Sequence, residues 1–311
     1  MKKQFTLMLA IFLALILTTS SLSAGQNTFL DIPYGNLSAA QTVDIYLPDD
    51  AARPFPVIVS IHGGGWCAGD KMGPDLETAK AGLQRGYAVV SVNYRLSEEA
   101  IAPAQIHDIK AAIRFIRANA DDYHLDPNRI AVWGSSAGGA LAALAGTSAG
   151  VEELQDLSIG NPTVSDRVQA VVDWCGPVNL ATMDAQFKAS GIKGELMDRP
   201  DSYGSTYVGK RISLVPDRVQ MVNAENYITP DDPPFYLQHG TADTLVPYQQ
   251  SPEFAARLAT VLGKDKVHLV TMPGKGHDGQ GFNNPESVNN VLDFLDATLK
   301  LAVPGTNLSS Y

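Results

Sequence analysis

The most restrictive stretch of this chain is Ile130-Ala131-Val132-Trp133-Gly134-Ser135-Ser136-Ala137-Gly138-Gly139. A short apolar run ends in G-x-S-x-G and passes at once into the small-residue start of a helix, Ala140-Leu141-Ala142-Ala143-Leu144. A turn this tight holds its serine in a strained backbone conformation, and only residues without bulk can flank it. Gly134 and Gly138 meet that need around Ser136. There is also a bland reading, since many such serines only cap a helix N-terminus. The position between strand and helix favours an exposed nucleophile. Such a serine needs a base, an acid and oxyanion donors from elsewhere in the chain.

The 311 residues are 45% hydrophobic and 18% charged, ample for one large core. Length alone would allow two domains, but a single unit is expected because α/β sheets commonly grow to this size. A formal net charge of −10, with no lysine or arginine run, argues against nucleic acid or an anionic membrane as partner. Residues 1–24 stand apart. Lys2 and Lys3 precede an apolar run over 5–17, and a small polar stretch ends at Ser23-Ala24. That order predicts a secretory signal peptide cleaved after Ala24, and the apolar run is short for a spanning helix. A secreted or periplasmic protein with no stable membrane anchor after cleavage is expected, its mature domain running over 25–311. Two cysteines, Cys67 and Cys175, invite a disulfide in an oxidising compartment, with two free thiols as the alternative.

Residues 41–47 alternate as a half-buried strand, and residues 56–61 form the continuous β-branched run of a strand covered on both faces. The second run ends in His62-Gly63-Gly64-Gly65-Trp66. Bare backbone there suits N–H groups aimed at a developing alkoxide, against the alternative of a merely tight loop. Further strands are expected over 87–92, 168–175, 234–238 and 267–271. Helices are expected over 76–85, from Pro103 onward with Ile106, Ile109, Ile113 and Ile116 at helical spacing, and over 251–262 and 286–301. Between Asn179 and Asp232 the alternation lapses, which predicts a cap-like insertion over the catalytic face, with one or two short helices and a hand in substrate choice. The fold class is therefore α/β, a doubly wound, mostly parallel sheet with right-handed crossovers.

Loops at the carboxyl ends of parallel strands meet on one sheet edge, where ligands bind. The triple glycine, Ser136, Asp243 and His277 all fall on such loops. Serine needs an imidazole to take its proton, and the imidazole needs an acceptor on its other nitrogen. Of the six histidines, only His277 occupies a glycine-flanked loop after the last strand. His62 belongs to the triple-glycine loop, His239 ends a strand and His268 lies within one, while His107 and His124 read as surface side chains. Asp243 follows its strand at the expected place. Asp278 is a distant second for the acid, because neighbours in sequence rarely face one another. Asp173 and Asp108, the latter beside Arg95, read as structural. No histidine or cysteine cluster has ligand spacing, so no metal or cofactor is expected. Nothing in the sequence speaks to oligomeric state.

His62 through Trp66, Gly134 through Gly139, His239-Gly240-Thr241-Ala242-Asp243 with Val246-Pro247, and Gly276-His277 together resemble the α/β-hydrolase esterase and lipase group related to hormone-sensitive lipase. Gly69-Asp70-Lys71, Asn93-Tyr94-Arg95-Leu96-Ser97, Trp133-Gly134-Ser135-Ser136 and Val171-Val172-Asp173-Trp174 are similar to secreted bacterial esterases of the bifunctional feruloyl and acetyl-xylan type. The likeness covers essentially all of 25–311. It is specific to the fold and much less so to a substrate. It implies Ser136 as nucleophile, His277 as base and then acid, and Asp243 as orienting carboxylate, with oxyanion N–H groups from Gly64, Gly65 and Ala137. The implied activity is a secreted serine carboxylesterase that removes acetyl or feruloyl groups from plant polysaccharide or its fragments, through an acyl-enzyme. A general short-chain carboxylesterase is the alternative, a non-catalytic ligand-binding homologue a remote one, and a serine peptidase is disfavoured because the triple glycine suits esters. Cys67 and Cys175 depart from the family pattern, which carries a non-cysteine at the first and an aromatic at the second. Both fall on the catalytic edge, so a Cys67–Cys175 disulfide bracing the oxyanion loop is expected.

Overall fold

The computed structural model describes residues 27–49, 53–277 and 281–300. The signal segment expected at 1–24, and Asp278, lie outside them. Eight strands form one sheet: β1 (Thr28–Pro33), β2 (Thr42–Tyr46), β3 (Phe55–Ile61), β4 (Ala88–Val92), β5 (Leu125–Ser135), β6 (Ala170–Trp174), β7 (Phe235–Gly240) and β8 (Val267–Met272). Their order is β1-β2-β4-β3-β5-β6-β7-β8. β3 through β8 run parallel, while β2 pairs antiparallel with both β1 and β4. The connections carry α1 (Pro74–Ala79), α2 (Ala104–Ala118), α3 (Ala137–Thr147), α4 (Met183–Ser190), α5 (Tyr203–Tyr207), α6 (Pro216–Met221), α7 (Gln250–Leu262) and α8 (Pro285–Leu299). The architecture is the doubly wound α/β-hydrolase fold.

Every residue of β3, β4, β6 and β7 is buried, as continuous apolar runs require when helices cover both faces. Alternate residues of β3 serve two cores. Val57, Val59 and Ile61 pack with α2, α3 and α7, whereas Ile58 packs with α1 and α8. Ile106, Ile109, Ile113 and Ile116 of α2 are all fully buried, and leaving water contributes about 1.5–3 kcal/mol for each. Asn284 caps α8 by accepting the Ser287 N–H at 3.0 Å, with Pro285 in the first turn. The helix expected over 76–85 is divided: α1 gives way to a 3-10 turn, Lys80–Arg85, that Gly86 closes at φ 76°.

Residues 179–232 hold more helix than the sequence suggests. They contain α4, α5 and α6 together with 3-10 turns at Ile212–Leu214 and Ala224–Tyr227. Each is only one or two turns long, too short to display a 3.6-residue period. Tyr207 of α5 stacks on Trp66 at 4.2 Å between ring centroids, which fastens this insertion to the triple-glycine loop. Among the described residues no helix is long and apolar enough to cross a membrane.

Candidate active site

Ser136 joins β5 to α3 with φ 54° and ψ −122°, a region that side chains seldom occupy. Close packing holds the strain in place. A Cβ added to Gly138 would sit 2.1 Å from the Ile61 carbonyl oxygen and 2.7 Å from that of His62. Backbone cannot give way as a side-chain tip can, so an alanine must push α3 off the end of β3. Gly138→Ala is expected to lower stability by about 3 kcal/mol or more, read from the urea unfolding midpoint. A midpoint equal to that of the wild type would contradict this packing.

The structure brings three of the sequence candidates into one chain of hydrogen bonds. Ser136 Oγ lies 2.8 Å from His277 Nε2, and His277 Nδ1 lies 2.7 Å from Asp243 Oδ2. They arrive from the β5–α3 junction, the loop after β7 and the loop after β8. Asp243 Oδ1 accepts the N–H groups of Leu245 and Val246, each at 2.8 Å. Its Oδ2 meets a second ring, His239 Nε2, at 3.2 Å. That nitrogen also faces the Val246 carbonyl at 3.1 Å. Facing two acceptors, Nε2 of His239 carries the proton, and Nδ1 pairs with the Ser251 hydroxyl at 2.7 Å. His239 thus helps to position Asp243. The spacing H-G-x-x-D puts the two close together in sequence, but only the folded loop aims the ring at the carboxylate.

Burial by itself would raise the Asp243 carboxyl. The hydrogen bonds from His239 and His277, the His277 charge and the Val246 N–H outweigh it and hold the group well below the usual carboxylate range. Burial likewise disfavours a charged His277, yet the neighbouring Cys175 sulfur and the Asp243 carboxylate raise its pKa above the ordinary histidine value. Of these two neighbours, Asp243 supplies the charge. Burial pushes the Cys175 thiol upward, so it stays protonated near neutrality. Asp173, read as structural, accepts the Gly176 N–H at 2.8 Å and shapes the turn that carries Cys175 at φ 47°. Its Oδ2 has no partner among the described residues, and burial pushes its pKa up to about 7.

On the oxyanion side, Gly64 and Gly65 adopt φ of 106° and 60°. Ala137 opens α3, where a first-turn N–H has no acceptor within the helix. Asp75 ties this loop to the elbow. Its Oδ2 accepts the Gly63 N–H at 3.1 Å, and its Oδ1 accepts the Ser135 hydroxyl at 2.5 Å. Nothing in the sequence singles out Asp75, because an acidic residue in a helix's first turn is ordinary.

The other motifs behind the family resemblance brace the same loop. His62 stacks on Tyr94 at 4.3 Å, and Tyr94 Oη donates to the His62 carbonyl at 3.0 Å. Lys71 reaches Asp31 of β1 at 2.8 Å and Asp44 of β2 at 2.9 Å. Asn93 binds Asp70 at 2.9 Å and accepts the Lys71 N–H at 2.6 Å. Arg95 forks onto Asp108, with its Nη2 2.8 Å from Oδ1. His107, expected at the surface, is half-buried, with Nε2 3.2 Å from the Glu153 carbonyl.

The expected Cys67–Cys175 disulfide is not formed, and both cysteines are free. Their sulfurs have different partners: Cys67 turns to the Ser97 hydroxyl, and Cys175 lies against the His277 ring. A shared cavity wall does not make a bonded pair.

A cavity of about 560 Å³ opens on Ser136, His277, Gly64 and Gly65. Trp66, Trp174 and Phe282 give it aromatic walls, and α4 and α5 contribute Met183 and Tyr203. Asp70, Asp75 and Asn283 supply polar groups at the same wall. A serine activated by a histidine, beside bare backbone N–H groups in an apolar hollow, can carry out acyl transfer.

The BD-FAE family model matches residues 43–258. Esterase LipQ of Mycobacterium tuberculosis is 32% identical over 251 residues, covering 79% of this chain and 56% of the relative. The chain spans little more than half the length of the first curated relatives it matches, 56%, 58% and 55%. Among solved structures, a bifunctional GH43-CE protein of Bacteroides eggerthii superposes with a TM-score of 0.79 at 35% identity, covering 88% of this chain and 35% of that one. A truncated form of a carbohydrate esterase from gut microbiota superposes equally well, with a TM-score of 0.79 at 30% identity, covering 90% of this chain and 99% of that one.

Proposed function

The chain belongs to the BD-FAE family, and from that membership we propose that it is a secreted serine carboxylesterase acting on acetyl or feruloyl esters of plant polysaccharide or its fragments. The observation that carries the hydrolytic part is the run of hydrogen bonds from Ser136 through His277 to Asp243, open to the cavity at Ser136. In this reading Ser136 Oγ attacks the ester carbonyl while His277 Nε2 takes its proton. Asp243 keeps the other proton on Nδ1 and stabilises the imidazolium that forms. The N–H groups of Gly64, Gly65 and Ala137 receive the oxyanion, each such donor lowering the barrier by about 2.7–4 kcal/mol. His277 then returns the proton to the departing alcohol. Water repeats the sequence on the acyl-enzyme.

Two observations support a carbohydrate ester. The structural relatives just described include a carbohydrate esterase and a bifunctional GH43-CE protein. The aromatic walls suit a planar acyl group, and a second depression of about 760 Å³ shares Gly73, Pro74 and Asn283 with the cavity and offers room for the alcohol side. Export is supported by Lys2, Lys3 and the apolar run over 5–17. A general short-chain carboxylesterase is the second reading, favoured by curated relatives named simply as esterases.

The test is a rate panel on methyl ferulate, acetylated xylo-oligosaccharides and p-nitrophenyl acetate. Release of ferulate or of carbohydrate-linked acetate is expected, with kcat/KM above that for an alkyl ester of equal acyl length by about tenfold or more. Turnover of p-nitrophenyl acetate alone would leave the carboxylesterase and remove the polysaccharide.

A further inference from the structure

Three donor atoms of different chemistry converge beside the serine. The sulfur of Cys175, a ring nitrogen of His277 and a carboxylate oxygen of Asp243 all lie within 4.8 Å of one another. They come from the end of β6, the loop after β8 and the loop after β7, so no sequence spacing announces them. Each is held in place. Asp173 fixes the turn that carries Cys175, and the N–H groups of Leu245 and Val246 grip Asp243. In a tetrahedral zinc sphere, with bonds of about 2.0–2.3 Å, neighbouring ligand atoms sit about 3.3–3.8 Å apart. Movements on the order of 1 Å therefore close this set around an ion. Thiolate, imidazole and carboxylate suit zinc and its softer congeners. An entry path exists, because Cys175 and His277 both line the 560 Å³ cavity.

We propose that the active site doubles as an inhibitory site for a soft divalent cation, Zn²⁺ or Cd²⁺, bound by Cys175 Sγ, His277 and Asp243. Binding releases the proton of the Cys175 thiol and, where the His277 ring is charged, one ring proton as well, and it changes no oxidation state. His277 loses its function as a base whichever nitrogen takes the ion. At Nε2 the ion occupies the lone pair that receives the Ser136 proton. At Nδ1 it leaves the ring's one remaining proton on Nε2, with the same effect. Cys67 lines the same cavity, but its sulfur faces Ser97, so it is the natural control. The inhibition rests on the hydrolytic reading of this pocket; the binding does not.

Two readouts separate them. The chain contains two cysteines, so thiolate-to-Cd²⁺ charge-transfer absorption in the ultraviolet reports on few sites. CdCl₂ titrated into Ser136→Ala protein is expected to produce that band. It should persist when Cys67→Ala is added and vanish when Cys175→Ala is added. In parallel, ZnCl₂ is expected to inhibit p-nitrophenyl acetate hydrolysis reversibly, with chelator restoring the rate. Cys175→Ala, compared with its own metal-free rate, should raise the half-inhibitory concentration about tenfold or more. A band that survives Cys175→Ala, no band at all, or equal inhibition of wild type and Cys175→Ala overturns the proposal. A normal band in a chain that hydrolyses no ester would remove the hydrolase and keep the cation site.

Discussion

Ser136→Ala is expected to lower kcat for p-nitrophenyl acetate by about 10⁴-fold or more, leaving only what the oxyanion donors and binding supply. The size of the effect follows from position. Ser136 Oγ is the hydroxyl that His277 Nε2 meets at 2.8 Å, and the strained backbone at φ 54° presents it to the cavity. The neighbouring Ser135 cannot substitute, because its hydroxyl is committed to Asp75 at 2.5 Å. The fold should be untouched, since removing one oxygen leaves the backbone hydrogen bond from Ser136 N–H to the Trp174 carbonyl, 2.8 Å long, in place. An alanine variant that folds normally and keeps wild-type turnover would sink the assignment of Ser136 as nucleophile.

Asp243→Asn is expected to cost about 10⁴-fold in kcat through the wrong tautomer rather than lost geometry. Asp243 uses Oδ1 for the Leu245 and Val246 N–H groups. An asparagine must keep its carbonyl oxygen there, which turns its NH₂ toward His277 Nδ1 and His239 Nε2. His277 then surrenders the Nδ1 proton, carries one on Nε2 instead and cannot take the proton of Ser136. His239 meets a donor where it had an acceptor, so a loss of stability of about 1–3 kcal/mol accompanies the loss of rate. The pH dependence gives an independent check. The Asp243 carboxyl is depressed in the folded state, so its contribution is present above the unfolded value near 3.9 and lost as pH falls through the folded value. His277 is raised, so its contribution is complete below about 6.5 and lost as pH rises through the folded value. The stability gap between wild type and Asp243→Asn should therefore be widest between about pH 4 and pH 6.5. Catalysis needs the uncharged ring, so kcat/KM of the wild type should rise with pH through a value above the ordinary histidine pKa. In the variant that limb should move down. A gap independent of pH would mean that Asp243 does not carry charge against His277.

How much could be read in advance differs from element to element. β3 and β4 were legible because strands covered on both faces leave compact runs rich in valine and isoleucine. The antiparallel pairing of β2 with β4 was not, since strand order depends on which edges meet across more than forty residues of chain. One or two short helices are expected between 179 and 232, but α4, α5 and α6 could not be counted or placed individually, for want of length. Ser136, Asp243 and His277 were accessible through glycine-flanked loops and chain order. His239, Asp75 and the sulfur of Cys175 were not, because their roles depend on the direction of a side chain.

The sequence by itself determined the order of strands and helices and the loops that carry the reacting groups, because periodicity and glycine placement are local properties of the chain. Tertiary structure alone decided that His239 and His277 share Asp243, that Asp75 clamps the oxyanion loop to the elbow, and that Cys175 faces an imidazole instead of Cys67. Those outcomes depend on approaches of a few ångströms between residues far apart in sequence, which only the packed sheet and its turns can set.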